Sequence, residues 1–147
     1  MDRFIVYADG ASRGNPGPAA YGTLVLNHAE EVVAELAGYL DVATNNFAEY
    51  YGLITGLEFL QSIPTASFIE IRMDSKLVVE QMTGKWKVKH PDMRALALTA
   101  RDLLQPFTGT FTWIPREQNS RADALANEAL DKASLGILDP IVRRYDS

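Results

Sequence analysis

The sequence predicts an α/β (α+β) domain with a mixed five-stranded sheet, three antiparallel strands followed by two parallel ones, flanked by helices. Two observations support this fold class. The chain opens with three β-rich runs joined by short connections, which is typical of an antiparallel meander. Beyond residue 46, helical and strand patterns alternate. Each later strand therefore follows a helical crossover and is expected to lie parallel to the first strand.

The strands are predicted from runs of β-branched, aromatic and aliphatic residues, some of them alternating with polar residues. The first run is short, apolar and rich in β-forming residues, which favours a buried strand. Turn residues rich in Gly and Pro separate the first two runs. The predicted strands cover residues 3–8, 21–26, 31–40, 67–73 and 108–114.

The helices are predicted from apolar residues spaced three and four positions apart. Proline and glycine mark where they end, because proline cannot continue a helix and glycine adopts the left-handed turn that closes one. Pro64 and Pro106 follow the first and third helices, and Gly84 and Gly136 follow the second and fourth. The predicted helices cover residues 46–61, 75–82, 92–104 and 120–132.

Length and composition are those of one soluble domain. The chain has 147 residues, of which 47% are hydrophobic and 22% charged. It contains no cysteine, which excludes disulfides, thiolate catalysis and zinc–thiolate sites. No leader or membrane-length apolar run is visible, so we expect a cytoplasmic protein without membrane contact. We assign the domain to residues 1–136, and residues 137–147 to a tail or a linker to a further domain in a longer parent chain.

Four acidic residues occupy element boundaries: Asp9, Glu49, Asp74 and Asp123. The first and third follow strands that are predicted to be parallel, so both belong to one edge of the sheet, where open sheets bind ligands. The other two lie in the first turns of helices that can start near that edge. Clustered carboxylates repel each other unless a cation lies between them, and all-oxygen sites suit Mg²⁺.

Each acid taken singly also has an ordinary structural interpretation. Asp9 can be a turn residue and Asp74 a helix N-cap. Glu49 and Asp123 each stand three residues after a potential cap, which is the spacing of a capping box. Four unrelated caps at one edge explain the pattern less well than a single metal site does.

Four motifs resemble type 1 ribonuclease H. They are DGASRGNPGP at 9–18, TNNFAE at 44–49, MDS at 73–75 and NSRADALA at 119–126, in the family's order and spacing. The resemblance spans residues 3 to about 133 and is closest to the short subgroup of archaea and actinobacteria that lacks a basic protrusion. It implies the ribonuclease H-like fold.

The resemblance implies an endoribonuclease that cuts the RNA strand of RNA–DNA hybrids, leaving 5′-phosphate and 3′-hydroxyl ends. The four acids fall on the family's metal-binding positions, with two Mg²⁺ ions in the substrate complex and Mn²⁺ as a substitute. One ion lowers the pKa of the attacking water, and the other stabilises the departing oxygen. Some subgroup members cut other RNA-containing duplexes, and a monomer is expected. The alternative is an inactive scaffold that binds nucleic acid, but such modules usually lose one of the acids.

Substrate contacts are also implied by the resemblance. Thr44 matches a contact to a DNA-strand phosphate, and Asn119 matches a loop residue that orients the last acid. Helix capping by the asparagines of the second motif, and a turn role for Asn15, remain alternatives. The positions that match contacts to the hybrid backbone are Ser12, Asn15, Asn45, Asn46 and Ser75.

Two departures from the family pattern stand out. The loop at 115–119 lacks the histidine that many members carry, and Arg116 is our candidate to replace it, because a guanidinium can bind a phosphate. Glu117 is the alternative, and both histidines of the chain are read as surface residues. The basic protrusion is reduced to a connection at 85–91, where a patch of phosphate-binding lysines with an aromatic surface is expected.

This connection supplies Lys85, Trp86, Lys87 and Lys89 as candidate substrate contacts. Its alternative interpretation is a solvated loop whose tryptophan folds onto the core. The second tryptophan, Trp113, lies inside a predicted strand and is expected in the core.

Overall fold

A six-stranded mixed sheet forms the centre of the computed structural model, which describes residues 1–145. Four α-helices and one short 3₁₀ turn at Arg116–Asn119 connect the strands. None of the helices in this described range is long and apolar enough to cross a membrane. The helices are α1 (Asn45–Gln61), α2 (Lys76–Met82), α3 (Pro91–Leu104) and α4 (Ser120–Ser134). The strands are β1 (Asp2–Ser12), β2 (Gly17–Asn27), β3 (Val32–Ala43), β4 (Ala66–Met73), β5 (Thr108–Trp113) and β6 (Ile141–Arg144).

The strand order is β5-β4-β1-β2-β3-β6. Strands β1, β2 and β3 form the antiparallel meander, while β4 pairs parallel to β1 and β5 parallel to β4. The fold class and these strand directions are therefore confirmed. The predicted count of five strands is wrong, because β6 adds a sixth strand antiparallel to β3.

Strand β6 lies in the segment that showed no pattern in the sequence. Its four residues are too few to display an alternation, and the pairing with β3 is what makes them a strand. The Arg143 guanidinium bonds the Glu128 carboxylate of α4 and lies 3.9 Å from Glu35 of β3. The Tyr145 hydroxyl donates to the same Glu35 carboxylate. Residues 146 and 147 of the predicted tail lie outside the described residues.

We expect Ile141→Ala to lower the free energy of unfolding by about 2 kcal/mol, because this side chain is buried against α4 residues in the second core. The neighbouring Val142 is 57% exposed and provides the control. Val142→Ala should change stability by less than about 0.5 kcal/mol. Urea denaturation of both variants tests this difference, and equal losses would mean that β6 does not contribute to the core.

The two faces of the sheet carry separate cores. On one face, α1 packs over β1 and β2, and α3 packs against α1; Val6, Leu53 and Ile71 are fully buried in this core. On the other face, α4 packs over β1, β2 and β3, where Ile5 and Leu125 are buried. Alternate residues of the central β1 thus enter different cores, which explains why this strand reads as a continuous apolar run.

Candidate active site

The end of β1 and the end of β4 bring two of the acids together. The last parallel pair of these strands is Ala8 with Met73. Asp9 and Asp74 follow that pair directly, so they lie at the same edge of the sheet. Asp9 is not a turn residue, since β1 continues through the antiparallel pair of Asp9 with Gly22.

Glu49 reaches this edge because α1 lies unusually close to β1. A Cβ atom added to Gly10 would lie 2.3 Å from the Glu49 backbone nitrogen, so only glycine permits this approach. The N-terminal hydroxyl cap of α1 is Thr44, and that of α2 is Ser75. The capping roles considered for Glu49 and Asp74 are therefore taken by other residues.

Asp123 is presented by the first turn of α4, which packs closely against β2. A Cβ atom on Gly22 would lie 2.1 Å from the carbonyl oxygen of Ala122. The residue before α4 is Asn119, and its side chain makes no capping hydrogen bond. Asp123 thus follows a 3₁₀ turn rather than completing a capping box with Ser120.

The carboxylates converge geometrically. Ligand oxygens of Asp9, Glu49 and Asp74 lie within 4.8 Å of one another. Asp123 lines the same cleft, which has a volume of about 580 Å³. Four acids that are far apart in the sequence therefore share one concave site.

Burial and mutual repulsion perturb the two acids that are least exposed to solvent. Burial, followed by the negative charge of Asp74, raises the pKa of Asp9 to about 8. Burial, followed by the charge of Asp9, raises the pKa of Glu49 well above its usual range. The Glu49 Oε2 atom is buried and has no hydrogen-bond partner within residues 1–145. An orphaned carboxylate oxygen among like charges fits a divalent cation, because the cation supplies the missing partner and offsets the repulsion.

Asn119 braces Asp74 from the side. Its Nδ2 donates to the Asp74 Oδ1 atom at 3.1 Å and to the Ala8 carbonyl oxygen at 3.0 Å. This buried amide therefore ties the ends of β1 and β4 together. The expectation that Asn119 orients the last acid differs from the structure, since the side-chain bonds of Asn119 go to Asp74 and not to Asp123.

Asp123 has a different partner, which sequence reasoning missed. The Asn127 Nδ2 donates to the Asp123 carbonyl oxygen at 3.0 Å and to its Oδ1 atom at 3.3 Å. Asn127 also lines the cleft. A position four residues after an acid on the same helix face was the available signal.

The prediction that Trp113 is a core residue is wrong. β5 is an edge strand, and its last residue is 49% exposed at the rim of the acidic cleft. The Trp113 Nε1–H donates to the Asp74 carbonyl oxygen at 3.2 Å. Asp74 is thus held through its backbone by Trp113 and through its side chain by Asn119.

Two arginines line the cleft. Arg116 is exposed on the 3₁₀ turn before α4. Arg13, which sequence reasoning did not single out, lies in the β1–β2 loop and is paired with Asp131 of α4 at 2.5 Å. The two guanidinium groups are the cations among the residues that line this cleft, and they can attract a phosphate chain to an otherwise acidic site.

The candidate substrate residues divide between two depressions. Ser12 and Asn45 line the acidic cleft. Asn15, Thr44 and Asn46 line a neighbouring groove of about 750 Å³. The first turn of α1 forms a ridge between the two depressions. Asn45 lines the depression on one side of this ridge, and Asn46 lines the one on the other side. Ser75 caps α2, and its hydroxyl accepts the Val78 N–H at 3.2 Å.

The loop residues beside this ridge are tied to one another. The Asn15 Oδ1 atom accepts the Asn45 N–H at 3.0 Å, which joins the β1–β2 loop to α1. The Ser12 hydroxyl bonds the carbonyl oxygens of Gly14 and, at 3.2 Å, Ala43. The side chains therefore have structural partners in addition to any contact with a ligand.

The basic connection between α2 and α3 forms the far wall of this groove. Lys87 and Lys89 line the groove, whereas Lys85 is exposed but is not among the lining residues. Trp86 is 45% exposed, which does not match the alternative in which it folds onto the core. His90, read from the sequence as a surface residue, is exposed and caps α3 through its Nδ1 atom.

Comparisons with known proteins agree with this fold. A family profile described as reverse transcriptase-like matches residues 7–129. The chain is 48% identical over 132 residues to ribonuclease HI of Halobacterium salinarum, covering 89% of this chain and 66% of that protein. The crystal structure of RNase H1 from that archaeon is similar with a TM-score of 0.84 at 48% identity, covering 88% of this chain and 98% of that one.

A second relative is a bifunctional protein of Mycobacterium tuberculosis, 48% identical over 135 residues. The match covers 90% of this chain but only 36% of that longer protein. Its N-terminal RNase H domain, solved as a fusion with maltose binding protein, gives a TM-score of 0.88 at 46% identity, with 92% of this chain and 99% of that chain covered. The present chain thus spans about a third of the mycobacterial protein.

A third similar structure is that of LC11-RNase H1 in complex with an RNA/DNA hybrid. It has a TM-score of 0.85 and 40% identity, and the match covers 89% of this chain and 99% of that one. These likenesses, which cover most of the chain at 40% identity or more, extend beyond a shared fold.

Proposed function

Since this chain belongs to the type 1 ribonuclease H family, we propose that it is an endoribonuclease that hydrolyses the RNA strand of RNA–DNA hybrids. The products would carry 5′-phosphate and 3′-hydroxyl ends. One observation carries the proposal. Three carboxylates lie within 4.8 Å of one another, with Asp123 in the same cleft. An acidic cluster of this kind is suited to holding divalent cations against a phosphate group.

Asp9, Glu49, Asp74 and Asp123 would hold two Mg²⁺ ions when substrate is bound, and Mn²⁺ should substitute. Bound ions would supply an activated water and offset the charge that builds on the phosphate and the departing oxygen. The carboxylates would supply the oxygen ligands. Without a cation, their burial and mutual repulsion disfavour the charged forms of Asp9 and Glu49. Trp113 and Asn119 hold Asp74 in place, and Asn127 holds Asp123.

Arg116 would bind a phosphate of the RNA strand or of the product. Its guanidinium lines the cleft from the turn that precedes α4, where the family's histidine is missing. A planar, permanently charged group can hold a phosphate through two hydrogen bonds but is a poor proton shuttle. The proposed role is therefore electrostatic.

The ridge formed by the start of α1 explains how a duplex could lie on this surface. One strand would pass through the acidic cleft beside Ser12 and Asn45, whose polar groups can meet ribose hydroxyls. The other strand would lie in the neighbouring groove, where Thr44 and Asn46 face lysines. Asn15 links the loop to this ridge, and Ser75 would contact the backbone at the start of α2.

The lysines and Trp86 of the basic connection should contribute mainly affinity. Changing Lys85, Lys87 and Lys89 to alanine should weaken hybrid binding and lower the slope of log K against log salt by about 1 for each lysine that binds a phosphate in the parent protein. Binding measured by fluorescence anisotropy between about 50 and 200 mM salt tests this expectation. Lys76→Ala is a control, because this exposed lysine lines neither depression. An unchanged slope in the triple variant would place the connection away from the nucleic acid.

Cleavage of end-labelled hybrid, RNA duplex and DNA duplex, each with and without Mg²⁺, tests the proposed activity. We expect Mg²⁺-dependent cleavage of the RNA strand in the hybrid. Hybrid that is bound but never cut would favour the inactive scaffold, and cleavage of DNA duplex would contradict the assignment. Activity on RNA duplexes, the monomeric state, the cytoplasmic location and a further domain in a longer parent chain stay predictions.

A further inference from the structure

Gln81 is a buried polar residue to which the proposed function assigns no role. It lies in the last turn of α2 and is only 5% exposed. The hydroxyl of Tyr50, which is fully buried in α1, donates to its Oε1 atom at 2.6 Å. The Arg101 Nη2 of α3 donates to its carbonyl oxygen at 3.2 Å. Contacts with two other helices therefore fix both the side chain and the backbone of Gln81.

The fixed amide leaves one donor group without a hydrogen bond among the described residues. Because Tyr50 occupies the amide oxygen, the Nε2 group must point away from that hydroxyl. No hydrogen bond from the Gln81 Nε2 atom is found within residues 1–145, and this atom is not among the fully buried ones that lack a partner, so solvent reaches it. Gln81 lines the groove beside the acidic cleft. Because Tyr50 and Arg101 hold Gln81 in place, this donor is already positioned for a ligand in the groove. An acceptor supplied from the groove would satisfy it.

The surroundings indicate the chemistry of that acceptor. Lys87 and Lys89 line the same groove and favour an anionic ligand. Phe47, Leu77 and Met93 supply an apolar wall, which suits a sugar more than a second charged group. A sugar–phosphate chain combines both properties. Side-chain amides are frequent donors to phosphate oxygens in nucleic-acid complexes.

We propose that Gln81 is a specificity-determining residue whose amide donates a hydrogen bond to one phosphate oxygen of the uncleaved strand, with Tyr50 as the residue that positions it. This inference rests on the proposed function. Lysine side chains are flexible, so they attract phosphates without defining their position. A rigid amide instead accepts a phosphate at one place only, and so helps to set the register of the duplex relative to the carboxylates.

Substitution of the amide tests the contact. Gln81→Met keeps the length of the side chain and removes the donor, and Gln81→Glu replaces the donor with a negative charge. Hybrid binding is measured by anisotropy in the cleavage-deficient Asp9→Asn background. We expect Gln81→Met to weaken binding by about 10-fold, and Gln81→Glu to weaken it more. When Asp9 is retained, Gln81→Met should raise KM and leave kcat within about twofold of the parent value, since the contact is remote from the reacting phosphate.

A modified substrate locates the partner. Hybrids that carry one methylphosphonate, scanned along the DNA strand, lack one anionic phosphate at a time. At one position the modification should weaken binding to the parent protein but not weaken binding to Gln81→Met any further. Such non-additivity identifies the two groups as partners. If Gln81→Met weakens binding to all the modified hybrids by the same factor, the proposed contact is wrong.

Two further variants separate positioning from folding. Tyr50→Phe keeps the core volume but releases the amide. It should weaken binding to unmodified hybrid by a few fold, with no further loss when the same position carries the methylphosphonate. Gln61→Met, on the same helix as Tyr50 but bonded to Leu103 outside the groove, should bind normally. If Gln81→Met does not fold, the test rests on Tyr50→Phe. Normal hybrid binding by Tyr50→Phe would then overturn the proposal. Parent protein that neither binds nor cuts hybrid would instead refute the proposed function.

Discussion

Replacing Asp9 by asparagine is expected to abolish hybrid cleavage without unfolding the protein. The substitution removes one of the three clustered carboxylates and with it a ligand for the cations, so kcat should fall by about 10³-fold or more. Asp74→Asn should act in the same way. Single-turnover cleavage with saturating enzyme measures the loss, and circular dichroism reports whether the fold is retained.

The same variant should be more stable than the parent protein when metal is absent. The pKa of Asp9 is raised to about 8, so between its usual value of 3.8 and 8 the folded state holds a proton that the unfolded state has released. Stability therefore falls as pH rises across this range. The loss should be on the order of 1 to 3 kcal/mol between pH 5 and pH 8 and should be smaller in Asp9→Asn.

Thermal melting in EDTA at pH 5 and pH 8 tests this dependence. Mg²⁺ should stabilise the parent protein more at pH 8 than at pH 5, because the cation competes with protons for the carboxylates. It should stabilise Asp9→Asn less at either pH. If Asp9→Asn melts far below the parent at pH 8, Asp9 is a structural residue and the metal assignment loses its support.

Gly22→Ala is expected to have the largest effect on stability, on the order of 3 kcal/mol or more. The added Cβ atom would lie 2.1 Å from the Ala122 carbonyl oxygen and 2.6 Å from the Ala126 nitrogen. Both are backbone atoms of α4 and cannot rotate away, so the helix itself must shift. Because Asp123 is the next residue after Ala122, we also expect cleavage to fall more than the loss of folded protein explains.

Gly109→Ala provides the matched control for this strand substitution. Its Cβ atom would lie 2.6 Å from the Leu104 Cδ1 atom, which is the end of a flexible side chain. Leu104 can change rotamer, so a smaller loss and normal cleavage are expected. Chemical denaturation and cleavage at a temperature where both variants are folded give the comparison. Equal behaviour of the two variants would show that the approach of α4 to β2 does not position Asp123.

The long elements could be read from sequence because their signals are local. The four helices lie within two residues of their predicted bounds, whereas β1 and β2 each run four residues further into the loop that joins them. The directions of β4 and β5 follow from their helical crossovers. The positions of the acids relative to these elements follow in turn. This is why their convergence at one edge could be anticipated before any distances were known.

Exposure and pairing could not be read in the same way. Trp113 is a large aromatic residue inside a strand, which is typical of a core position. It is exposed because β5 is the edge strand of the sheet. The capping boxes considered for Glu49 and Asp123 matched in spacing, yet the N-cap residues of the two helices are Thr44 and Asn119. Spacing along the chain does not reveal which of several polar residues a helix end uses.

By itself, the sequence determined the fold class, the order of the main elements and the four acids, because periodicity and short motifs depend only on neighbours along the chain. Only the tertiary structure decided that residues 141–144 form a strand, that Asn119 braces Asp74, and that Gln81 faces the groove. Each of these features depends on a partner supplied by a distant segment. Hydrogen bonding and burial between such segments are properties of the packed molecule, which no local pattern encodes.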